Sequence, residues 1–250
     1  MNERVGCSVG VCNAARRYEE AATDFTRALE VAPQSALALC NRGMCSAKMG
    51  ALDTALQDFN AALDIDERNV DCLMTRGGLN RKLGCLAEAV HDFSRVIEIQ
   101  PHNSRALVNR AMVYERANDL QAAVIDCRRA LQIDPCSAKA HFCLGLCLER
   151  EDDDESALDA ISRAIELESN VAYLNARGML YDKIGQFDLC IQDFNNAIGL
   201  DPTNDALLHN RGACGLSLII SVCVLTDFCC VLIDICQVTA TEKTADWRLQ

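Results

Sequence analysis

The stretch LAEAVHDFSRVIEIQP (86–101) closes on one of only four prolines in a chain of 250 residues. Those prolines, Pro33, Pro101, Pro135 and Pro202, stand 68, 34 and 67 residues apart: twice 34, then 34, then one short of twice 34. On that ruler YEEAATDFTRALEVAP (18–33), LDTALQDFNAALDIDE (52–67), LQAAVIDCRRALQIDP (120–135) and FDLCIQDFNNAIGLDP (187–202) fall into register, and the unit ending near Asn170 is one residue short. Self-similarity at a period of this size means stacked supersecondary units.

Ahead of each such block lies a second one, as in ALALCNRGMCSAKMG (36–50) and NVDCLMTRGGLNRKLG (69–84), ending on Gly50, Gly84, Asn118 or Gly185. Apolar residues at three- and four-residue spacing, a residue tolerant of left-handed backbone, a second apolar-periodic block and a proline describe helix, cap, helix and stop. The unit is therefore an αα-hairpin. The expected division is an imperfect first repeat at 1–35, then repeats at 36–69, 70–103, 104–137, 138–170 and 171–204. A degenerate or truncated repeat with an apolar tail follows at 205–238, and a disordered tail at 239–250.

The pattern resembles the tetratricopeptide repeat family, whose 34-residue unit carries a small residue at position 8, alanine at 20, an aromatic at 24, alanine at 27 and proline at 32. The second unit holds Gly43, Ala55, Phe59, Ala62 and Glu67 there, and the sixth holds Gly178, Cys190, Phe194, Ala197 and Pro202. Over about residues 2–212 the resemblance implies an all-α, right-handed superhelical solenoid of antiparallel helix pairs. It also implies a non-enzymatic scaffold that binds peptide segments of other proteins in a concave groove.

Position 7 reads Arg42, Arg76, Arg110, Leu144, Arg177 and Arg211, and position 23 reads Asp58, Asp92, Asp126, Ala160 and Asp193. The one unit without the arginine is also the one without the aspartate. This joint loss predicts a partly buried ion pair between the two helices of a hairpin, because losing one partner strands a charge at about 3–5 kcal/mol while losing both costs little. Pairing of Asp24 with Arg42 of the next unit is the alternative, and the joint loss favours pairing within the unit.

Composition narrows the partners. With 24 basic and 36 acidic residues the formal charge is −12, so the overall field repels phosphate backbones and nucleic acid is not expected. Of the 16 cysteines, Cys40, Cys72, Cys143 and Cys190 fall where a helix wants a small apolar side chain, which reads as reduced thiols in a cytoplasmic protein. The opening MNERVGCSVGVCNAARRYEE has a short apolar run, but its leading charges cancel and it passes directly into repeat sequence, so a signal peptide is not expected.

In the family the groove uses positions 2, 5, 6, 9, 12 and 13 of the first helix. Position 13 is Lys48, Lys82, Arg116, Arg150 and Lys183, read either as a basic track for acidic peptides or as cations complementing helix C-termini. Met74 and Met112 belong to an apolar, adaptable floor at positions 5 and 9. Asn41, Asn109 and Asn210 at position 6 form a broken amide ladder. No unit has the basic and asparagine pair of a chaperone-tail clamp, so that partner is not expected. Phosphate loops, nucleophile elbows and paired CxxC motifs are missing from the sequence, so no catalytic residues and no cofactor are expected. His141, Cys143 and Cys147 share a stretch of helix without a fourth ligand, and EREDDDE (149–155) lacks the glycine and terminal glutamate of a calcium loop, so no metal is expected either.

The run ACGLSLIISVCVLTDFCCVLIDICQV (213–238) has three readings. As a membrane span it must bury Asp227 and Asp234, at about 2.5–3.5 kcal/mol each. As a degenerate repeat it keeps Asp227 and Phe228 in register. As a truncation or splicing product it marks the chain as a fragment or regulatory part of a larger enzyme or membrane-associated protein. Membrane attachment is not expected, and this run is the segment through which it could occur.

Overall fold

The computed structural model describes the backbone of residues 3–219 and the side chains of residues 16–219. The described residues are all-α and fall into two compact units divided between Glu151 and Asp152. The first unit holds α1 (Glu3–Val31), α2 (Ala36–Lys48), α3 (Leu52–Ile65), α4 (Val70–Leu83), α5 (Leu86–Ile99), α6 (Ser104–Arg116), α7 (Leu120–Ile133) and α8 (Ala138–Arg150). The second holds α9 (Asp154–Leu167), α10 (Val171–Lys183), α11 (Phe187–Leu200) and α12 (205–219). In the first unit α2 pairs with α3, α4 with α5 and α6 with α7; in the second α10 pairs with α11. The apolar run expected at 213–238 lies beyond the described residues from 220 onward, and so does the tail at 239–250.

Local chemistry cuts the chain at the same two phases in each repeat. Four first helices start on a side-chain cap: Ser35 accepts from Ala38 N, Asn69 from Cys72 N, Asn103 from Ala106 N and Asn170 from Ala172 N, whereas Ser137 ahead of α8 makes no such bond. Each cap satisfies one amide that the helix itself leaves orphaned. Position 15 then turns the chain with positive φ, at Gly50 (+85°), Gly84 (+84°), Asn118 (+64°), Asp152 (+60°) and Gly185 (+78°). The leading segment differs. Arg16 stands where the other units turn, among strong helix formers from Ala14 to Arg17, and α1 runs through without a break.

The short unit keeps its helices whole. Second helices α3, α5, α7, α9 and α11 are each 14 residues long, and four-residue links (66–69, 100–103, 134–137, 201–204) follow all but α9. The link after α9 is 168–170, so the missing residue comes out of the connection.

Packing is organised around rings set into glycines. Phe59, Phe93 and Phe194 are fully buried, each against the position-8 glycine of its partner helix. A Cβ on Gly77 would lie 3.0 Å from Phe93 Cε1 and Cζ and 3.2 Å from Asp92 Cβ. In the fourth unit Cys127 replaces the ring and Ala111 replaces the glycine, so a smaller knob meets a shallower socket.

Beside each ring the position-7 arginine grips the position-23 aspartate as a two-pronged fork. Arg42 Nε and Nη2 donate to Asp58 at 2.9 and 2.6 Å, and Arg76 to Asp92 at 3.0 and 2.6 Å. Arg110 donates to Asp126 at 2.7 and 2.9 Å, and Arg177 to Asp193 at 2.7 and 2.8 Å. All four aspartates are buried, and the hydrogen bonds to them hold the arginines' pKa above its ordinary value. Bidentate, charge-assisted geometry is the strong form of this contact. Asp24 pairs instead with Arg27 of its own helix.

The remaining guanidinium nitrogen reaches back to the preceding unit. Nη1 donates to Asn60 Oδ1 from Arg76 (2.7 Å), to Ser94 Oγ from Arg110 (2.9 Å), to Ser162 Oγ from Arg177 (3.0 Å) and to Asn195 Oδ1 from Arg211 (2.8 Å). These acceptors all occupy position 25. Ahead of Leu144 that position is Arg128, which offers no acceptor, so three residues depart together where the fifth unit loses its pair.

Two outcomes follow for unfolding by denaturant. Arg110→Ala or Asp126→Ala alone should destabilise by about 3–5 kcal/mol, whereas Arg110→Leu with Asp126→Ala should recover most of that loss, since only the single changes strand a buried polar partner. Gly77→Ala should cost about 1–3 kcal/mol by pushing on the Phe93 ring.

Candidate functional site

In the first unit a cleft of about 540 Å³ opens over the N-terminal halves of α2 and α4. Cys40 forms buried floor, while Leu37 and Met44 present apolar surface to solvent, Leu37 at 68% exposure. Asn41, Met74 and Thr75 complete the centre, and Arg105, from the first turn of α6, is an exposed cation at one end. These side chains stand on α2 at positions 2, 5, 6 and 9 and on α4 at positions 5 and 6. Apolar side chains alternate there with amide and hydroxyl groups, and Asp71 of α4 adds an exposed carboxylate to the lining, a surface suited to an extended segment that inserts side chains and offers its own backbone to Asn41.

A second cleft of about 500 Å³ lies between α3 and α5. Much of its polar lining is already engaged: Arg76, Asp92 and Asn60 belong to the clamp, and Asn80 Nδ2 lies 3.5 Å from Asp92 Oδ2, which leaves Glu88 and His91 at its edge. The first cleft is the better candidate.

The position-13 cations divide into two sets. Arg116 Nη1 donates to the carbonyl of Arg81 at 2.9 Å, and Arg150 Nη1 donates to the carbonyl of Glu115 at 2.9 Å. Arg150 also binds Glu115 Oε1 at 2.7 Å and Asn118 Oδ1 at 2.6 Å. Both arginines thus cap the last turn of the preceding first helix, where orphaned carbonyls and the helix dipole favour a cation. In the second unit Lys183 lies 2.7 Å from Asp154 Oδ1 and 3.2 Å from Asp152 Oδ1, and these bonds, Asp154 first, raise its pKa. Lys48 and Lys82 are exposed.

Of the other residues singled out from sequence, Met112 and Met74 are half-buried and pack on the core. Asn109 is half-buried on α6 and does not line the cleft. Asn210 Nδ2 donates to Asn175 Oδ1 at 2.9 Å in the second unit. His141 is partly buried with Nε2 3.1 Å from the carbonyl of Pro135, while Cys143 and Cys147 are buried, so these three do not converge. In the acidic run Asp153 caps α9 through Ser156 N, and Asp152 makes the left-handed turn. Among the described residues one group with metal-ligand chemistry does converge, Asp182 with Cys190 and Cys214 in the second unit. No helix among the described residues is long and apolar enough to cross a membrane.

Sequence reading missed three features. The position-25 acceptors are small polar residues of ordinary composition, visible only when aligned against Arg128. Asp152 was hidden inside a charge run, although its register marks it as a turn residue. Arg105 lies at position 2, where no series recurs.

Family models described as tetratricopeptide repeat match residues 14–70, 79–138 and 171–204. No curated protein matches the chain. Among solved structures, YrrB, described as a TPR protein with an unusual peptide-binding site, is 20% identical and superposes with a TM-score of 0.56 over 75% of this chain and 97% of its own. A thermophilic TPR protein of Thermus thermophilus is 19% identical, with a TM-score of 0.62 over 73% and 100%. A tetratricopeptide repeat protein of Parabacteroides merdae is 19% identical, with a TM-score of 0.69 over 82% and 87%. At these identities the likeness concerns the fold.

Capping and display predict different costs for neighbouring cations. Arg116→Ala should lower stability by about 0.5–1.5 kcal/mol by freeing the Arg81 carbonyl, whereas Lys82→Ala should stay within about 0.5 kcal/mol; urea unfolding of the two variants checks this.

Proposed function

This chain belongs to the tetratricopeptide repeat family, and from that premise we propose that it is a non-enzymatic scaffold binding extended peptide segments of other proteins in the cleft over α2 and α4. The reading rests on the exposed apolar side chains of Leu37 and Met44 beside half-buried Met74, with Asn41 and Thr75 set among them. An apolar floor that includes two unbranched, polarisable methionines adapts to more than one aliphatic or aromatic insert. YrrB, a relative of the same fold, is described by a peptide-binding site, which supports a groove of this kind.

The preferred segment combines apolar side chains with acidic groups. Arg105 at the cleft and the exposed Lys48 and Lys82 are the cations in the first unit to which such groups would be drawn. Arg116 and Arg150 contribute less, because their guanidinium groups are occupied by helix ends. A cytoplasmic setting suits the eight described cysteines that are buried as free thiols.

Selection of a random peptide library on the immobilised full chain tests the reading. Selected peptides should carry paired apolar residues beside Asp or Glu, lose about tenfold or more in affinity for Met44→Ala/Met74→Ala, and weaken with salt less in Arg105→Ala than in the unaltered chain. Peptides that bind the methionine variant equally well would overturn it.

A further inference from the structure

The second unit carries a side-chain cluster that peptide binding does not use. Asp182 sits in the last turn of α10, Cys190 on α11 and Cys214 on α12, and their ligand atoms all lie within 4.8 Å of one another. The two thiols are 0% and 1% exposed. Beside them Asp182 Oδ1 is buried and receives no hydrogen bond of good geometry, although its carboxylate lies close enough to the Cys214 thiol to raise that thiol's pKa. A buried carboxylate oxygen left without such a bond is costly and needs an explanation.

Repeats within the chain supply the comparison. Position 20 is Ala55, Ala89, Ala123 and Ala157 in successive units, and only the sixth has cysteine, Cys190. Position 10 of the following unit is a thiol at Cys45, Cys147 and Cys214, and position 12 is acidic at Glu115, Glu149 and Asp182. Only the junction of α10, α11 and α12 has all three together. A cysteine that merely fills space accounts for Cys190 taken alone. It does not account for an orphaned carboxylate oxygen beside two thiols.

We propose that Asp182, Cys190 and Cys214 bind a thiophilic divalent cation of the zinc type, with water as fourth ligand. Two sulfurs and one oxygen suit a tetrahedral, borderline-soft ion, and reaching the usual bond lengths of about 2.0–2.3 Å requires the trio to draw in by about an ångström. Without an ion, burial and the neighbouring Cys214 thiol push the Cys190 pKa up, and Cys214 donates to the carbonyl of Phe187 at 3.7 Å. Binding replaces both thiol protons with the metal and releases them to solvent, leaving two thiolates and one carboxylate around a doubly charged ion. The spacing Asp182–Cys190–Cys214 matches no short motif, which is why the sequence led to an expectation of no metal.

The test uses the full chain, reduced, stripped with chelator and titrated with Co²⁺ and then Zn²⁺. Cys190→Ala installs the residue the other units have at that place, and Asp182→Asn keeps size and both thiols, so each should retain the helical circular-dichroism signal. Cys40→Ser/Cys72→Ser controls for the other buried thiols. The expected result is one equivalent of Co²⁺ with a thiolate charge-transfer band and about two protons released per ion, displaced by Zn²⁺. Binding should weaken about tenfold or more in Cys190→Ala and in Asp182→Asn, and stay unchanged in the control. A tight equivalent that survives both substitutions, or no thiolate band in the unaltered chain, would overturn the assignment.

Discussion

The three-armed grip of a position-7 arginine is the contact on which the repeats of this chain depend. A hairpin of two 13- or 14-residue helices cannot bury its apolar faces alone, and successive hairpins must be held in a fixed phase. Arg76 does both at once, closing its own hairpin through Asp92 and reaching Asn60 in the preceding one. A guanidinium is suited to this because it is planar, permanently charged and offers donors along two edges. The cost of burying the aspartates is offset by two short charge-assisted bonds each, and Arg110 and Arg177 also lie 5.7 Å from the ring centroids of Tyr114 and Tyr181.

That grip sets where recognition can occur. With position 7 committed to the neighbouring helix and position 8 reduced to glycine or alanine for ring packing, variable side chains are left to the other faces of α2 and α4. Position 13, at the far end of the first helix, is drawn partly into structure by Arg116 and Arg150. A cation one turn from the preceding helix end satisfies its carbonyls at little cost, so for Arg116 and Arg150 packing accounts for the positive charge before any ligand is considered. What remains distinctive is the combination of Leu37, Met44, Met74 and Asn41 around one cleft.

How much was legible follows from the same physics. The period, the hairpin and the Arg–Asp pairing could be read because each recurs in several units, and a repeat chain is its own alignment; Leu144 beside Ala160 is informative only against Arg110 beside Asp126. The left-handed turn was clear at glycines and obscure at Asp152, whose acidic neighbours drew the eye to charge. The continuous helix α1 was obscure because the signal is the lack of a turn residue at Arg16. The cluster of Asp182, Cys190 and Cys214 was beyond reach, since its members come from three helices at three different phases and no spacing rule joins them.

The three-residue link at 168–170 shows how such an array tolerates change in its coding length. Every contact that defines a repeat, from cap to ring socket to guanidinium grip, is measured in helical phase, so a deletion of one codon inside a helix would rotate all later side chains by about 100°. In the link the same deletion leaves α9 at 14 residues and lets Arg177 still reach Ser162. The array therefore has windows of a few residues per unit where its reading length can drift, and between them a frame as strict in space as the genetic one is in sequence.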